Sequence, residues 1–165
     1  MVDRFADVLD EVQVAFMLGP VSVSVAGRDA ANVPTLSRTV GCRVSADHRR
    51  VTVFVSASRS ASLLDDLRSN GAVAAVFSRP STHETIQLKG EDARVEPLAQ
   101  GDTALLAAAV DVFAQELVSI GFPEHYARAV HGGALEDYVA VSFTPAAAFV
   151  QTPGPAAGQR IDARS

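Results

Sequence analysis

The residues best suited to chemistry lie between positions 34 and 90, at the junctions of predicted strands with one short predicted helix. Arg38 and Arg43 belong to one strand, and four serines lead from the next strand into the helix: Ser56, Ser58, Ser60 and Ser62. Helix N-termini carry unpaired N–H groups and partial positive charge. Guanidinium and hydroxyl groups gathered beside such a terminus suit a bound phosphate, so the sequence predicts a phosphorylated cofactor.

The two arginines need a common face of their strand to act together. Residues five apart on a regular strand point to opposite faces. Gly41, between them, is suited to a β-bulge, which adds one residue and restores a common face. Alternatively, Arg43 ends the strand and turns back toward the site. Solvated arginines with their stems over apolar surface explain each residue equally well.

The serine run allows two interpretations. Ser62 followed by Asp65 has the pattern of a capping box, and capping alone accounts for Ser62. Several hydroxyls beside Arg59 and a helix start favour an anion-binding cradle. The four histidines lack metal-ligand spacing. Cys42 lies among apolar residues, where a buried and inert thiol is expected.

Hydrophobic periodicity predicts the elements that position these residues. Alternating segments with short connections favour an α+β fold, in which a mostly antiparallel sheet curls into a barrel. Asp102 is expected to cap the long helix. We expect a single domain over residues 1–151 and a solvated tail, or an arm crossing a partner, over 152–165. The predicted helices cover 3–18, 60–70, 102–119 and 124–130. The predicted strands cover 21–25, 34–44, 51–56, 73–77, 85–89, 93–97 and 138–143, with 146–150 extending the last.

Composition limits the classes of function. The 165 residues are 48% hydrophobic and 20% charged, as in a globular protein of one domain. A net charge of −5 offers no general basic field for nucleic acid. No apolar run approaches the roughly 20 residues that span a bilayer. The single cysteine and the acidic N-terminal segment predict a soluble cytoplasmic protein.

Over about residues 5–98, these motifs resemble the FMN-binding split barrels related to pyridoxamine 5'-phosphate oxidase. Arg38-Thr-Val-Gly-Cys-Arg43 is similar to the family's Arg-x-x-x-x-Lys strand, which contacts the phosphate and isoalloxazine of FMN. Ser56-Ala57 and Ala61-Ser62-Leu63 are similar to its next strand and short helix. Thr85-Ile-Gln87 is similar to its Gln-x-Arg strand.

The resemblance implies an antiparallel FMN-binding split β-barrel that forms a homodimer, with the cofactor in a groove between subunits. It implies a flavin-dependent oxidoreductase whose small-molecule substrate and catalytic residues are unknown. Histidine spacing, net charge and the lack of a long apolar run predict no metal, nucleic-acid or membrane partner. The cofactor-binding residues that it implies are Arg38, Thr39, Arg43, Ser56, Ser58, Arg59, Ser62, Thr85 and Gln87.

The sequence departs from the family pattern at several positions. Ser62-Leu63 replaces an Arg-Lys pair, Thr85 replaces glutamine, and Gln87 replaces arginine. The chain has no tryptophan, and its C-terminal segment does not match the oxidase's substrate-binding residues. Pyridoxamine phosphate oxidation is therefore not favoured. Two alternatives stay open: a non-catalytic dimeric binding module that has lost flavin, and a relative that uses deazaflavin or haem.

Overall fold

A computed structural model describes residues 9–131 and 133–162 of the chain. The helices within these residues are α1 (Glu11–Met17), α2 (Ala61–Asn70), α3 (Asp102–Ser119) and α4 (Glu124–Ala129), with a 3₁₀ turn at Leu135–Asp137. The strands are β1 (Ser22–Arg28), β2 (Pro34–Val44), β3 (Val51–Ser56), β4 (Val73–Ser78), β5 (Thr85–Gly90), β6 (Arg94–Glu96), β7 (Tyr138–Phe143), β8 (Ala147–Val150) and β9 (Arg160–Ile161). Residues 3–8 of the predicted first helix lie outside the described residues.

The described strands form one antiparallel sheet in the order β6-β7-β3-β2-β1-β4-β5-β8-β9. The predicted bounds of β2, β3 and α3 are confirmed. The predicted bulge in β2 is also confirmed, because Val40 pairs with Phe54 while Cys42 pairs with the adjacent Val53. Gly41 has a φ of +68°, a left-handed conformation that glycine adopts without a Cβ penalty.

Strand alternation divides apolar side chains between the two faces of the sheet. Inward residues of β1, β3, β4, β5 and β7 form the barrel interior together with apolar residues of α1 and α2. Val40 and Phe54 point outward, where α3 covers them. Both faces of β3 are therefore covered, which explains why all six of its residues are buried. Helix α4 packs against the C-terminal half of α3, where Phe113, Ala114 and Leu117 contact Ala127.

The barrel closes where β5 approaches the end of β7. A Cβ on Gly90 would lie 2.8 Å from a ring carbon of Phe143 and 2.9 Å from the carbonyl oxygen of Thr144. Residues 146–150 do not extend β7 as expected, because β8 instead pairs with β5. Pro145 stands at the break and lacks the N–H that a continuing ladder needs. The last described strand, β9, returns to pair with β8.

Among the described residues, no helix combines the length and apolar character needed to cross a bilayer.

Candidate functional site

The residues best suited to bind a ligand surround a cavity of about 140 Å³ on the outer face of the sheet. Ser56 ends β3 and pairs with Tyr138 at the start of β7. Helix α2 begins five residues later, which places its N-terminus beside this end of the sheet. We call this space the anion cavity. Its lining residues are Ser37, Arg38, Ser56, Arg59, Val130, His131 and Tyr138.

Hydroxyl and amide donors next to this cavity converge on one carboxylate. The Ser56 hydroxyl donates to Asp137, and Ser58 donates to Asp137 through both its amide (3.0 Å) and its hydroxyl (2.8 Å). Hydrogen bonds from Ser56 and then Ser58 lower the pKa of Asp137 below its ordinary value, because they favour the charged carboxylate. Arg59 donates from Nε to the Ser56 hydroxyl at 3.2 Å. An anion of the chain itself thus occupies donors that the sequence assigns to a phosphate.

The predicted capping box at the start of α2 is wrong. Ser60 is the N-cap residue, and no side chain caps the helix. The buried Ser60 hydroxyl instead bonds across to the Ser37 hydroxyl at 2.6 Å. Ser62 is exposed within the first turn of the helix, and Asp65 pairs with Arg68 at 3.4 Å. The Ser60 hydroxyl is therefore bonded to Ser37 on β2 and does not cap the helix.

The bulge at Gly41 places Arg38 and Arg43 on the same face of β2, but different partners surround them. Arg43 donates from Nε and Nη2 to the two carboxylate oxygens of Asp102, at 3.0 and 3.3 Å. The Arg38 guanidinium has no ion pair or side-chain hydrogen bond within residues 9–131 and 133–162. Five residues of strand separate the two arginines by about 15 Å. The structure does not bring them together.

Asp102 does not cap α3 as expected. The N-cap position is Gly101, whose φ is +90°, and Asp102 is the first helical residue. Its side chain is 2% exposed and also accepts a hydrogen bond from the Ala99 amide at 2.8 Å. Charge pairing with Arg43 explains how this carboxylate is accommodated under the helix.

Three further predicted site residues lie away from the anion cavity. Thr39 points into the barrel beside Val23, and its buried hydroxyl has no partner among the described residues. On β5, the Thr85 hydroxyl bonds to that of Ser78 at 2.7 Å. Gln87 accepts from the Gln151 side chain at 3.4 Å. Two strands, β1 and β4, separate β5 from β2, so these groups do not meet Arg38 within one chain.

The structure adds His131 and Asp137, which are not among the cofactor-binding residues expected from the sequence. The His131 ring packs edge-on against Phe113, with ring centroids 4.7 Å apart. Burial, followed by the positive charges of Arg38 and Arg59, lowers the pKa of His131 to about 4. The imidazole is therefore neutral near pH 7. The adjacent His131-Gly-Gly sequence is the available signal, because a close backbone approach favours glycine.

The backbone at Gly133 closely approaches the side chain of Arg59. A Cβ at Gly133 would lie 2.8 Å from Nη2 of Arg59, so a larger residue would displace the guanidinium. The segment after α4 therefore helps to position Arg59 beside the anion cavity.

The residues at the anion cavity match the phosphate group of a flavin nucleotide. Arg38 and Arg59 suit a phosphate, since guanidinium groups form strong charge-assisted hydrogen bonds with phosphate oxygens. The anion cavity is smaller than the roughly 300 Å³ or more of a pocket for a whole ligand. It fits the phosphate end of the nucleotide, whereas the Arg43 end of β2 does not.

Solved structures share this architecture. An F420 reductase is 13% identical, with a TM-score of 0.54 over 85% of this chain and 98% of that chain. A candidate pyridoxamine 5'-phosphate oxidase from Lactobacillus delbrueckii is 15% identical, with a TM-score of 0.52 over 90% and 97% of the two chains. A pyridoxamine 5'-phosphate oxidase-related FMN-binding protein from Nostoc punctiforme is 13% identical, with a TM-score of 0.50 over 88% and 85%. No protein-family model and no curated protein matches the sequence.

Identities this low establish a shared fold, and the activity has to be argued from the site. The predicted α+β class and antiparallel barrel are confirmed by the sheet order and by these similar structures. The chain therefore has the split-barrel fold of the pyridoxamine 5'-phosphate oxidase-related FMN-binding proteins.

Proposed function

We propose that this protein is a homodimeric split barrel that binds FMN and acts as a flavin-dependent oxidoreductase on a small molecule. The observation that carries the proposal is the pair of guanidinium groups, Arg38 and Arg59, lining one cavity at the N-terminus of α2. Arg38 is not neutralised by any acidic side chain among the described residues. A phosphate bound there would gain charge-assisted hydrogen bonds and the favourable end of the helix dipole.

In this proposal, the protein binds and orients the cofactor. Arg38 and Arg59 hold the phosphate, and the hydroxyls of Ser56 and Ser58 become donors to it when Asp137 releases them. The bound flavin supplies the hydride chemistry, while the protein contributes orientation and electrostatics. Arg43 is left out of the cofactor site, because Asp102 already holds its guanidinium.

A second subunit completes the proposed site. The outer faces of β1, β4 and β5 carry small, half-buried side chains that α3 does not cover, among them Ser24, Ala26, Ala74 and Val76. Gln87 lies on the same face. Packing of two such faces would cover both and bring β5 residues of one chain toward the other chain's β2. The proposed cofactor groove lies between subunits for this reason.

The name F420 reductase, carried by one similar structure, makes a deazaflavin the first alternative cofactor to test. The two cofactors present related ring systems and the same kind of phosphate-bearing chain. A cytoplasmic location also belongs to this proposal, and the single cysteine, which permits no internal disulfide, is compatible with it.

A specific observation favours a second candidate function, a dimeric binding module without flavin. Asp137 accepts the donors of Ser56 and Ser58, and Asp102 neutralises Arg43. A chain that satisfies its own anion-binding groups in this way can keep the barrel without binding a nucleotide.

Titration of the purified protein with FMN separates the two candidates. We expect visible flavin absorbance in the purified protein or saturable quenching of FMN fluorescence, together with a dimer by light scattering. Arg38→Ala should weaken binding, whereas Arg94→Ala, which changes an exposed arginine on β6, should not. A colourless dimer that does not respond to FMN, deazaflavin or haem would reject the flavin proposal and support the second candidate.

A further inference from the structure

A second cavity adjoins the anion cavity and shares two of its walls. Its volume is about 300 Å³, and it lies between α3, β2 and the segment leading into β7. Val40, Val110 and Leu135 supply apolar walls, while His131 and Tyr138 line both cavities. We call it the apolar cavity. An apolar cavity of about 150 Å³ is enough to hold benzene, so this space admits a substituted ring.

The charged groups at the apolar cavity are paired with each other. Arg128 contacts Asp111 at 2.7 Å from Nη1 and Glu124 at 3.0 Å from Nε. Among the described lining residues, no other arginine, lysine, aspartate or glutamate is present. The cavity therefore offers no unpaired charge to attract an ion, in contrast to the neighbouring anion cavity with Arg38.

His131 is the polar group without a partner at this place. Its side chain is more than nine-tenths buried, and its Nε2 forms no hydrogen bond with the described residues. A buried polar atom without a hydrogen bond is destabilising, and a ligand that supplies the bond removes that cost. Nε2 itself has almost no accessible surface, so a ligand atom reaches it only when the imidazole turns toward the apolar cavity that the ring lines.

We propose that the apolar cavity binds a small uncharged molecule, an apolar ring or chain with a single hydroxyl or carbonyl oxygen that hydrogen-bonds to His131. An uncharged ligand matches the neutral imidazole, whereas an anion is drawn to Arg38 and Arg59 instead. Because the cavity adjoins the proposed phosphate end of the nucleotide and not its redox-active ring, the molecule is a ligand of this cavity and not the substrate of the proposed oxidoreductase. The binding itself does not require flavin.

The test compares three ring probes on the purified full-length protein without added flavin. Phenol is uncharged and carries one oxygen, benzene lacks the oxygen, and benzoate carries a negative charge. We expect calorimetry to show phenol binding at least tenfold more tightly than benzene, in line with one buried hydrogen bond. Phenol should also shift the imidazole nitrogen resonances of His131, and benzoate should not.

Three variants assign the preference to His131. His131→Phe keeps the apolar volume and should bind benzene while losing the preference for phenol. His131→Gln keeps a hydrogen-bonding group and should restore part of that preference. His125→Phe, which changes an exposed histidine on α4, should leave the preference unchanged.

Several outcomes would overturn the proposal. They are equal binding of phenol and benzene, binding of neither, tighter binding of benzoate with a shift of the His131 resonances, or a phenol preference that survives in His131→Phe. If that variant does not fold, the resonances of the wild-type imidazole decide, because an unchanged spectrum with saturating phenol rejects the contact. A failed FMN titration with successful phenol binding would instead reject only the flavin function.

Discussion

Arg38, near the middle of β2, and Arg43, near its C-terminal end, lie on the same face of the strand but have different surroundings. At one end, the Arg43 guanidinium reaches the carboxylate of Asp102, which is buried under the start of α3. Near the middle of the strand, Arg38 lines the anion cavity beside Arg59 and a neutral His131. The first arginine completes the packing of a helix, and the second faces space that a ligand can enter.

The neighbouring element, and not the strand, decides what a surface arginine does. Helix α3 brings an acidic first residue to the Arg43 end. Helix α2 brings a serine-rich N-terminus to the Arg38 end, where Asp137 bonds to the serines. A pair of arginines on one strand therefore contains one structural residue and one candidate for binding.

The largest effect is expected at the Arg43 end. Arg43→Ala leaves the buried Asp102 carboxylate without its charge partner and should lower the free energy of unfolding by about 3–4 kcal/mol. Urea denaturation at neutral pH measures this change. Arg94→Ala, which removes an exposed arginine from β6, should change the free energy by no more than about 0.5 kcal/mol. Equal effects of the two substitutions on the free energy of unfolding would show that Arg43 has no structural role.

Acidic pH should lower the free energy of unfolding through His131. Burial and the charges of Arg38 and Arg59 lower the pKa of His131 from 6.5 to about 4 in the folded chain. Between these values the unfolded chain binds more protons, so the free energy of unfolding decreases as the pH falls through this window. The expected loss is roughly 3 kcal/mol; most of it is present at pH 4, and it is complete about one pH unit lower.

Urea denaturation at several pH values across this window measures the loss. His131→Phe removes the titrating group and should flatten the dependence, while His125→Phe should not. A slope that is unchanged in His131→Phe would contradict the depressed pKa.

Arg38→Ala should separate stability from binding. Because Arg38 has no ion pair among the described residues, its loss should change the free energy of unfolding by about 0.5 kcal/mol or less. Its loss should weaken FMN binding by about 1–3 kcal/mol, as expected for a charged hydrogen bond to phosphate. Denaturation and FMN titration on the same preparation test both parts. A variant that is destabilised but keeps its FMN affinity would show that Arg38 has a structural role and does not bind the cofactor.

The smallest effect is expected from Asp137→Asn. This substitution removes a negative charge that competes with a bound phosphate for Ser56 and Ser58. FMN affinity should rise about two- to fivefold, because exposed charge interactions are modest. Titration in low and high salt measures the gain, which screening should reduce. Weaker binding in this variant would show that Asp137 positions the two serines for the cofactor.

Local pattern predicted the scaffold of this molecule well. β-type segments between turn signals predicted the bounds of β2 and β3, and the apolar stripe of α3 predicted a helix over 102–119. Gly41 predicted the bulge, since a glycine between two groups that need one face has a direct geometric consequence. The resemblance to split barrels then supplied the closure of the sheet, which is seen in the approach of Gly90 to Phe143.

The partners of the site residues were not predictable from local pattern. Arg43 and Asp102 are 59 residues apart, and Ser56 and Asp137 are 81 apart. Spacing rules describe neighbours on one helix or strand, whereas these pairs depend on how distant elements pack. Ser60 illustrates the same limit, because a serine on β2 accepts or donates the bond that would otherwise cap α2.

Because Gly41 is the additional residue of the bulge, it is not needed to keep the other side chains of β2 on their present faces of the sheet. Val40 faces α3, Cys42 faces the interior and Arg43 faces α3 again, so the strand would alternate in the same way without residue 41. In-frame loss of this codon keeps both guanidinium groups on the outside. With the bulge kept, loss of the Thr39 or Val40 codon would turn one of them into the barrel. Natural variation in the length of this strand should therefore be concentrated at a single codon.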